Sequence, residues 1–256
     1  MRKWRGDPLF LIQNLVLKDF RIRYRNMSLG ILWSLLNPLV MMAVLTFVFG
    51  RVFGNPNSPT FPLFVLCGLV PFNFFSGALL SGTNSVIEAA GLIKRVSVPR
   101  AVVPIASVLS NCVHLLIQLA LVLALTLLYH LPPSGSWLWL PVLWSLFIVF
   151  VCGLALGASA INVFIRDTRY VVESFNLVLF WLVPIFYSFT IIPAKYVVVY
   201  RFNPVAALVL AMRDILIDRH PPAGSIVANM AIAAAVSIIL GGAIFARLKP
   251  RFYDYI

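Results

Sequence analysis

Residues 102–129 read VVPIASVLSNCVHLLIQLALVLALTLLY, twenty-eight positions without one Asp, Glu, Lys or Arg. About 20 predominantly apolar residues in a helix are enough to cross the hydrocarbon core of a bilayer. The stretch lacks the strict polar–apolar alternation of a membrane β-strand. Because a backbone in lipid must satisfy its own hydrogen bonds, the stretch predicts a transmembrane helix.

Long apolar runs of this kind recur along the chain. The chain is 61% hydrophobic and 11% charged, with a mean hydropathy of +0.97, whereas about a quarter of the residues in a soluble domain are charged. The predicted fold is therefore an all-α integral membrane protein with six transmembrane helices. The predicted spans are residues 32–50, 62–83, 102–129, 138–163, 174–191 and 226–245.

The basic residues predict how the chain is oriented. With six spans, fifteen of the 20 Lys and Arg residues fall on the side that holds both termini, and five fall on the other. Cytoplasmic loops carry the excess of Lys and Arg, so both termini are expected in the cytoplasm. The net charge of +12 follows from this bias and suits anionic lipid head groups. Bases scattered among spans do not favour a nucleic-acid partner.

The N-terminal segment, residues 1–31, predicts a helix lying on the cytoplasmic face of the membrane, ahead of a single membrane domain over residues 32–256. From Pro8 to Tyr24, apolar residues recur at helical spacing, and bases crowd the later half. Such a basic amphipathic helix binds the membrane interface. The alternative is a charge cluster that only orients the first span. Pro38 is expected to kink that span.

Two segments on the cytoplasmic side are candidates for docking a partner. Residues 84–100 predict a short helix with both charge signs; the alternative is a solvated connector. Residues 164–173 hold Arg166, Asp167, Arg169 and Glu173 at spacings that allow local ion pairs, which favours a structural role over contact with a partner.

The external segment 192–225 is unusually apolar for a loop. It predicts two short helices that dip back into the outer leaflet and are broken at Asn203-Pro204, forming a candidate external gate. The alternative is a small external cap helix.

The spans contain a few polar and small residues with useful spacing. Ser107, Asn111, His114 and Gln118 share one helical face, which should turn toward other helices or a wet cavity. No intramembrane carboxylate accompanies His114, so interhelical hydrogen bonding is favoured over a proton relay.

A G-x-x-x-G pair, Gly153 and Gly157, permits close helix packing. The three cysteines lie in apolar runs without metal or disulfide spacing.

Motifs that the sequence lacks argue against several classes of function. The chain has no G-x-x-x-x-G-K-[ST] phosphate loop, and no charge lies near the middle of a span, as an ion-coupled transporter would need. We find no carboxylate pair, nucleophile–base arrangement or metal cluster, and expect no cleavable signal peptide. If the chain transports, its energy enters through a partner docked on cytoplasmic segments.

Several motifs together resemble the ABC-2 type permeases that export polysaccharides. A basic amphipathic helix precedes SLGILWSLLNP at residues 28–38. Further matches are GLVPF at 68–72 with FF at 74–75, LIKR at 92–95 with PR at 99–100, NVFIRD at 162–167 and NP at 203–204. The motifs cover nearly the whole chain in the family's order.

This resemblance implies a homodimer in the bacterial inner membrane, with each subunit bound to a separate cytoplasmic ATPase that holds ATP and Mg²⁺. The implied substrate is a lipid-linked polysaccharide: O antigen, capsule or teichoic acid. The chain itself would have no catalytic residue, cofactor or metal. The N-terminal helix would be an interface element, and the first and fifth spans would line the channel. The coupling helix would be residues 84–98, and the gate 192–225.

Three sets of site residues follow from the resemblance and from the stacking of sugars on aromatic rings. The coupling residues are Glu88, Leu92, Lys94, Arg95 and Arg100. The channel-lining residues are Trp33, Phe72, Phe180, Trp181, Phe186 and Tyr187. The gate residues are Tyr196, Tyr200, Asn203, Pro204, Arg213 and Asp214.

Two other functions remain open from the sequence. One is an ABC-2 exporter of a small hydrophobic compound or lipid. The other is a membrane-embedded enzyme acting on polyprenyl-linked sugars, which would require acids or a metal site at the membrane surface. The eight acids of the chain form no such cluster.

Overall fold

The structure, a computed structural model, describes residues 8–24, 30–52, 59–95, 99–193, 195, 200 and 202–255. These residues form helices joined by turns, without a β-strand among them. The gate residue Tyr196 lies outside the described residues, as do parts of the N-terminal, coupling and gate segments. The backbone of Arg95 is described, but its side chain is not.

Ten α-helices are described. They are α1 (Pro8–Tyr24), α2 (Trp33–Leu45), α3 (Phe61–Glu88), α4 (Ala90–Arg95), α5 (Val102–Leu128), α6 (Trp139–Phe164), α7 (Thr168–Leu182), α8 (Pro204–Leu216), α9 (Gly224–Leu248) and α10 (Phe252–Tyr255). A π-helical segment, Thr46–Val52, continues α2. Among the described residues, five helical stretches are long and apolar enough to cross a membrane: Trp33–Gly50, Phe61–Glu88, Val102–Leu128, Gly135–Phe164 and Gly224–Arg251. The chain is a multi-pass membrane protein.

The predicted fifth span, residues 174–191, is not one helix. α7 begins at Thr168, six residues earlier than expected, and ends at Leu182. Val183 is extended, with ψ 134°, because the residue before a proline, here Pro184, is disfavoured in helical geometry. At 1.5 Å per residue, the 15 residues of α7 span only about 22 Å.

The predicted boundary after the second span also differs. Residues 84–88, expected to open a separate short helix, are the last turn of the 28-residue helix α3. A turn at Ala89 separates them from α4, which is the short helix of this segment. No proline follows Pro71 before residue 99, so no residue that breaks a helix stands at position 84 to end α3 there.

α3 is the central helix of the bundle. It packs against α2 and α5 on one side, and against α6, α7 and α8 on the other. Its first half is almost entirely buried, and Leu63, Val65 and Leu66 have no exposed surface. We name the two ends of the bundle after the ends of α3, the Phe61 end and the Glu88 end.

Glycines bring α6 and α9 into close contact. A methyl group on Gly153 would lie 2.6 Å from the carbonyl oxygen of Ser237, and one on Gly241 would overlap the backbone of Gly153. Gly157 faces the Cα of Gly241. The close packing predicted from the G-x-x-x-G pair is confirmed, with Gly241 as the partner on α9.

A second buried cluster lies at the Glu88 end. It joins Ile93 of α4, Val163 of α6, Phe245 of α9 and Phe252 of α10, together with Val86, Val103, Leu156 and Ala160. Phe252 has no exposed surface and packs edge-on against Phe245, with ring centroids 5.4 Å apart. The C-terminal segment thereby fixes α4 to the ends of two long helices.

α1 packs against α5. Its inner positions, Leu11, Ile12, Leu15, Val16 and Phe20, are half-buried, while Leu9, Phe10 and Leu17 are exposed. The predicted N-terminal helix is confirmed over Pro8–Tyr24.

The glycine contact leads to a stability prediction. We expect Gly241→Ala to lower the midpoint of thermal unfolding of the purified protein in detergent, because the added methyl group forces α6 and α9 apart. Overpacking of this kind costs about 1–3 kcal/mol.

The neighbouring glycine is a matched control. A methyl group on Gly242 would meet nothing within 4 Å, so Gly242→Ala should leave the midpoint unchanged or raise it slightly. Equal midpoints for the two variants would contradict the close contact.

Candidate functional site

Arg213 is buried at the Phe61 end, on α8. Its side chain donates hydrogen bonds to the carbonyl oxygen of Ile185 at 2.8 Å and to that of Phe64 at 3.3 and 3.4 Å. Its guanidinium carbon lies 3.3 Å from the centroid of the Phe64 ring. A desolvated cation–π contact contributes about 2 kcal/mol. Backbone carbonyls and an aromatic face thus hold this buried charge in place.

The chain that follows the end of α7 passes through this site. Ile185 follows the Val183-Pro184 break and packs against α3 at Gly68, where a methyl group would lie 2.8 Å from the Cα of Ile185. A residue larger than glycine would push the chain away from α3. Arg213 ties the two together, because it binds one carbonyl from each.

Tyr187 completes the end of α7. Its hydroxyl lies 3.2 Å from the carbonyl oxygen of Trp181 and 3.1 Å from that of Leu182. The last carbonyls of a helix have no partner within the helix, and the Tyr187 hydroxyl can donate to them. Tyr200 brings its hydroxyl to 3.4 Å from that of Tyr187.

The other predicted gate residues surround α8. Asn203 is its N-cap, and its side chain accepts a hydrogen bond from the Val205 amide at 3.0 Å. Pro204 follows as the first helical residue, where a missing N–H is tolerated. Asp214 lines a cavity of about 560 Å³ together with Arg213, Ser188, Asp218 and Asn229.

The predicted channel-lining residues divide by exposure. Phe72 and Phe186 are buried, Phe180 and Tyr187 are half-buried, and Trp33 and Trp181 are exposed. We call Phe49, Phe72, Phe180, Trp181 and Phe186 the aromatic layer. Phe186 stacks on Phe49 with centroids 4.4 Å apart, and Phe72 meets Phe180 edge-on at 5.2 Å. Phe49, which lies in the π-helical segment, was not among the predicted residues.

The predicted coupling residues gather at the Glu88 end. Glu88 and Lys94 are exposed, and Leu92 is half-buried. Arg100 donates a hydrogen bond to the carbonyl oxygen of Lys249, and its guanidinium lies 5.9 Å from the centroid of the Phe252 ring. The contribution of the C-terminal segment was not predicted, because its partners are distant in sequence.

The predicted ion pair of the 164–173 segment is confirmed. Arg169 donates to Glu173 one turn later at 2.9 Å, with both side chains largely in solvent. Such an exposed pair adds less than about 1 kcal/mol to stability.

The polar face of α5 forms the predicted interhelical bonds. The His114 Nδ1 lies 2.9 Å from the Ser34 hydroxyl, and Gln118 donates to the Ser34 carbonyl oxygen at 3.2 Å. Asn111 donates to the Ser81 hydroxyl at 2.8 Å. These contacts join α5 to α2 and α3.

The described residues contain no cluster of three or more His, Cys, Asp or Glu residues that could hold a metal ion. The three cysteines are free thiols.

One protein-family model and three known proteins match most of this chain. The model of the ABC-2 type transporter family matches residues 11–217. An O-antigen export system permease protein, RfbA of Klebsiella pneumoniae, is 30% identical over 253 residues, covering 97% of this chain and 94% of that protein. RfbA of Myxococcus xanthus is 27% identical, covering 96% of this chain and 95% of that protein. The polysialic acid transport protein KpsM of Escherichia coli is 24% identical, covering 91% and 92%.

The Arg213 contacts lead to a second prediction. We expect Arg213→Gln to lower the thermal unfolding midpoint, because it removes the donor of the Ile185 carbonyl and the added donor of the Phe64 carbonyl, which also accepts within α3. Each unsatisfied buried group costs about 1–3 kcal/mol. Arg213→Lys should recover only part of this, since an ammonium cannot reproduce the planar fork of the guanidinium.

An exposed arginine on the neighbouring helix supplies the control. Arg247 lies on the exposed surface of α9, so Arg247→Gln should unfold at the wild-type midpoint. A wild-type midpoint for Arg213→Gln would reject the role of Arg213 in tying Ile185 to α3.

Proposed function

Because the chain belongs to the ABC-2 type transporter family, we propose that it is the transmembrane subunit of an ATP-driven exporter of a lipid-linked polysaccharide. The observation that carries this proposal is the length of the match. Permeases named for O-antigen export and polysialic acid transport align with more than nine-tenths of the chain.

The proposed topology has six crossings and both termini in the cytoplasm of a bacterial inner membrane. The five long helices supply five crossings. α7 and its continuation through the 3-10 turn Phe189–Ile191 supply the other. The Glu88 end then faces the cytoplasm, in agreement with the bias of the basic residues. The Phe61 end faces outward.

α8 is then the inner part of a re-entrant pair. Its 13 residues are too few to cross a bilayer, yet Val205, Leu208, Met212 and Ile215 are fully buried. Asn203 and Pro204 line one groove with Ala233, nine residues inside α9. A helix that begins inside the bilayer and ends near the outer membrane surface is expected for a re-entrant pair that turns within the outer leaflet.

The proposed assembly contains two copies of this chain and two cytoplasmic ATPase subunits that bind ATP and Mg²⁺. No cofactor is assigned to this chain. The docking surface is the Glu88 end, where α4 exposes Lys94 and the neighbouring segments expose Arg166, Arg247, Lys249 and Arg251. A partner surface with acidic residues would complement it.

In the proposed mechanism, the Glu88 end transmits movement of the ATPase subunits to the membrane helices. ATP-driven closure of the ATPase pair moves α4, and the cluster around Ile93 and Phe252 passes the movement to α6 and α9. Opening requires the aromatic layer and the Arg213 contacts at the Phe61 end to separate. Trp33 and Trp181, which are exposed on this subunit, would then offer ring faces to the passing sugars.

The first prediction from this proposal concerns export. Deleting the chain in its source strain should remove the polysaccharide from the cell surface and leave it, still attached to its lipid carrier, inside the cell. Antibody labelling of intact and opened cells measures the two pools.

Re-expression of the chain should restore the surface pool, whereas an inactive ATPase partner should reproduce the deletion. Unchanged surface polysaccharide, combined with loss of efflux of a small hydrophobic compound, would instead support the alternative ABC-2 function.

The second prediction concerns docking. We expect Lys94→Glu to reduce co-purification of the ATPase subunit and to reduce export, with unchanged membrane levels, because it places an acid against the proposed acidic surface. Arg219→Glu, an exposed site at the opposite end, is the matched control. Normal ATPase binding by Lys94→Glu would reject the assignment of α4 as the coupling helix.

A further inference from the structure

One face of α3 is polar over the half of the helix that ends at Glu88. Polar side chains or bare backbone recur every three or four residues, interrupted by Leu80 and Ile87. From Asn73 to Glu88 the face is about 22 Å long, and all its members are exposed or half-buried. We call it the polar track: Asn73, Ser76, Gly77, Ser81, Asn84 and Glu88.

Two cavities follow each other along the polar track. The first, of about 310 Å³, lies between the Glu88 end of α3, the charged pair Lys18 and Asp19 of α1, and the serines of α5. The second, of about 240 Å³, lies beside Asn73 and is closed by Asn37 of α2 and by His114. The Asn111–Ser81 hydrogen bond joins their linings, since Ser81 lines the first and Asn111 the second.

Hydrogen-bonding groups remain unused along this path. Among the described residues, the side chains of Asn37 and Asn73 form no hydrogen bond. The side-chain oxygen of Asn176, on α7, is buried without a partner, although the same amide donates to the Ser76 carbonyl oxygen at 3.4 Å. Gly77 exposes bare backbone. Such a surface is costly against lipid, and where neighbouring helices do not satisfy it, water or a polar ligand can.

The polar track stops at the aromatic layer. Phe72, the residue before Asn73, is buried against Phe180. Beyond it, the first half of α3 is packed, and Arg213 holds Ile185 against it. The path therefore ends at the aromatic layer on the side of the Phe61 end, and its other cavity lies beside Glu88.

We propose that the polar track is a binding site for the hydroxyl-rich part of the exported chain, which it guides from the Glu88 end to the aromatic layer. The inference rests on the proposed function. Amide and hydroxyl side chains both donate and accept hydrogen bonds, which suits the hydroxyl groups of a sugar chain. The charged side chains lie at the mouth, on Lys18, Asp19 and Glu88, so the inner part selects neutral polar groups.

A photo-crosslinking experiment tests the site in the intact complex. A benzophenone amino acid replaces Asn73 in cells that make the polysaccharide, and a matched variant carries it at Ile239, an exposed apolar position on α9. We expect the probe at residue 73 to capture polysaccharide. This product should vanish when synthesis of the polysaccharide is blocked, and the probe at residue 239 should capture lipid alone. Capture of only lipid, or of only a second copy of the chain, at residue 73 would overturn the proposal.

A substitution tests the same site by function. Asn73→Leu keeps a similar volume and removes the amide, so we expect surface polysaccharide to fall about tenfold, with normal membrane level and ATPase binding. Asn73→Gln should restore part of the export. Ser145→Leu is the control, because Ser145 is exposed on α6 and its hydroxyl donates to Pro141 within the same helix.

The proposed function and the proposed binding site can be rejected independently. If deletion of the chain leaves surface polysaccharide unchanged, the proposed function is wrong. If deletion removes it while Asn73→Leu exports normally, the polar track is not the binding site and the proposed function stands.

Discussion

The structure at the Phe61 end depends on one buried guanidinium. A helix satisfies its own backbone, but the helical hydrogen bonding of α7 stops at Val183-Pro184, and the carbonyls beyond it need other donors. Arg213 supplies the donor for Ile185 and binds Phe64 on α3 at the same time. Gly68 allows this approach. A break that would be unstable in lipid thus becomes a fixed contact between α3, α7 and α8.

The two ends of the subunit are held together by different kinds of contact. The glycine contact between α6 and α9, and the cluster that joins Ile93 to Phe252, make the Glu88 end a continuous packed unit. The Phe61 end is held by the hydrogen bonds of Arg213 and by ring contacts, in addition to the apolar core around the first half of α3. Between the two ends lies the polar track.

Several features were predicted from the sequence because their causes are local. Apolar runs gave five of the six predicted helices, the spacing of His114 and Asn111 placed them on one face, and the G-x-x-x-G pair indicated close packing. The fifth span was predicted as a continuous helix, although Pro184 contained the signal for its break. The polar track was missed, since Asn73 and Glu88 belong to different segments of the hydropathy pattern.

The sequence by itself determined that the chain crosses a membrane, which segments are helical and which residues are polar within them, because length, hydropathy and helical period depend on neighbours in the chain. The tertiary structure decided what those residues do. Arg213 and Ile185, Arg100 and Phe252, and Asn176 and Ser76 lie between 28 and 152 positions apart in the chain, and only helix packing brings them together. Packing also buried Phe72 and Phe186 while leaving Trp33 and Trp181 exposed, a difference that depends on which helix face meets a neighbour.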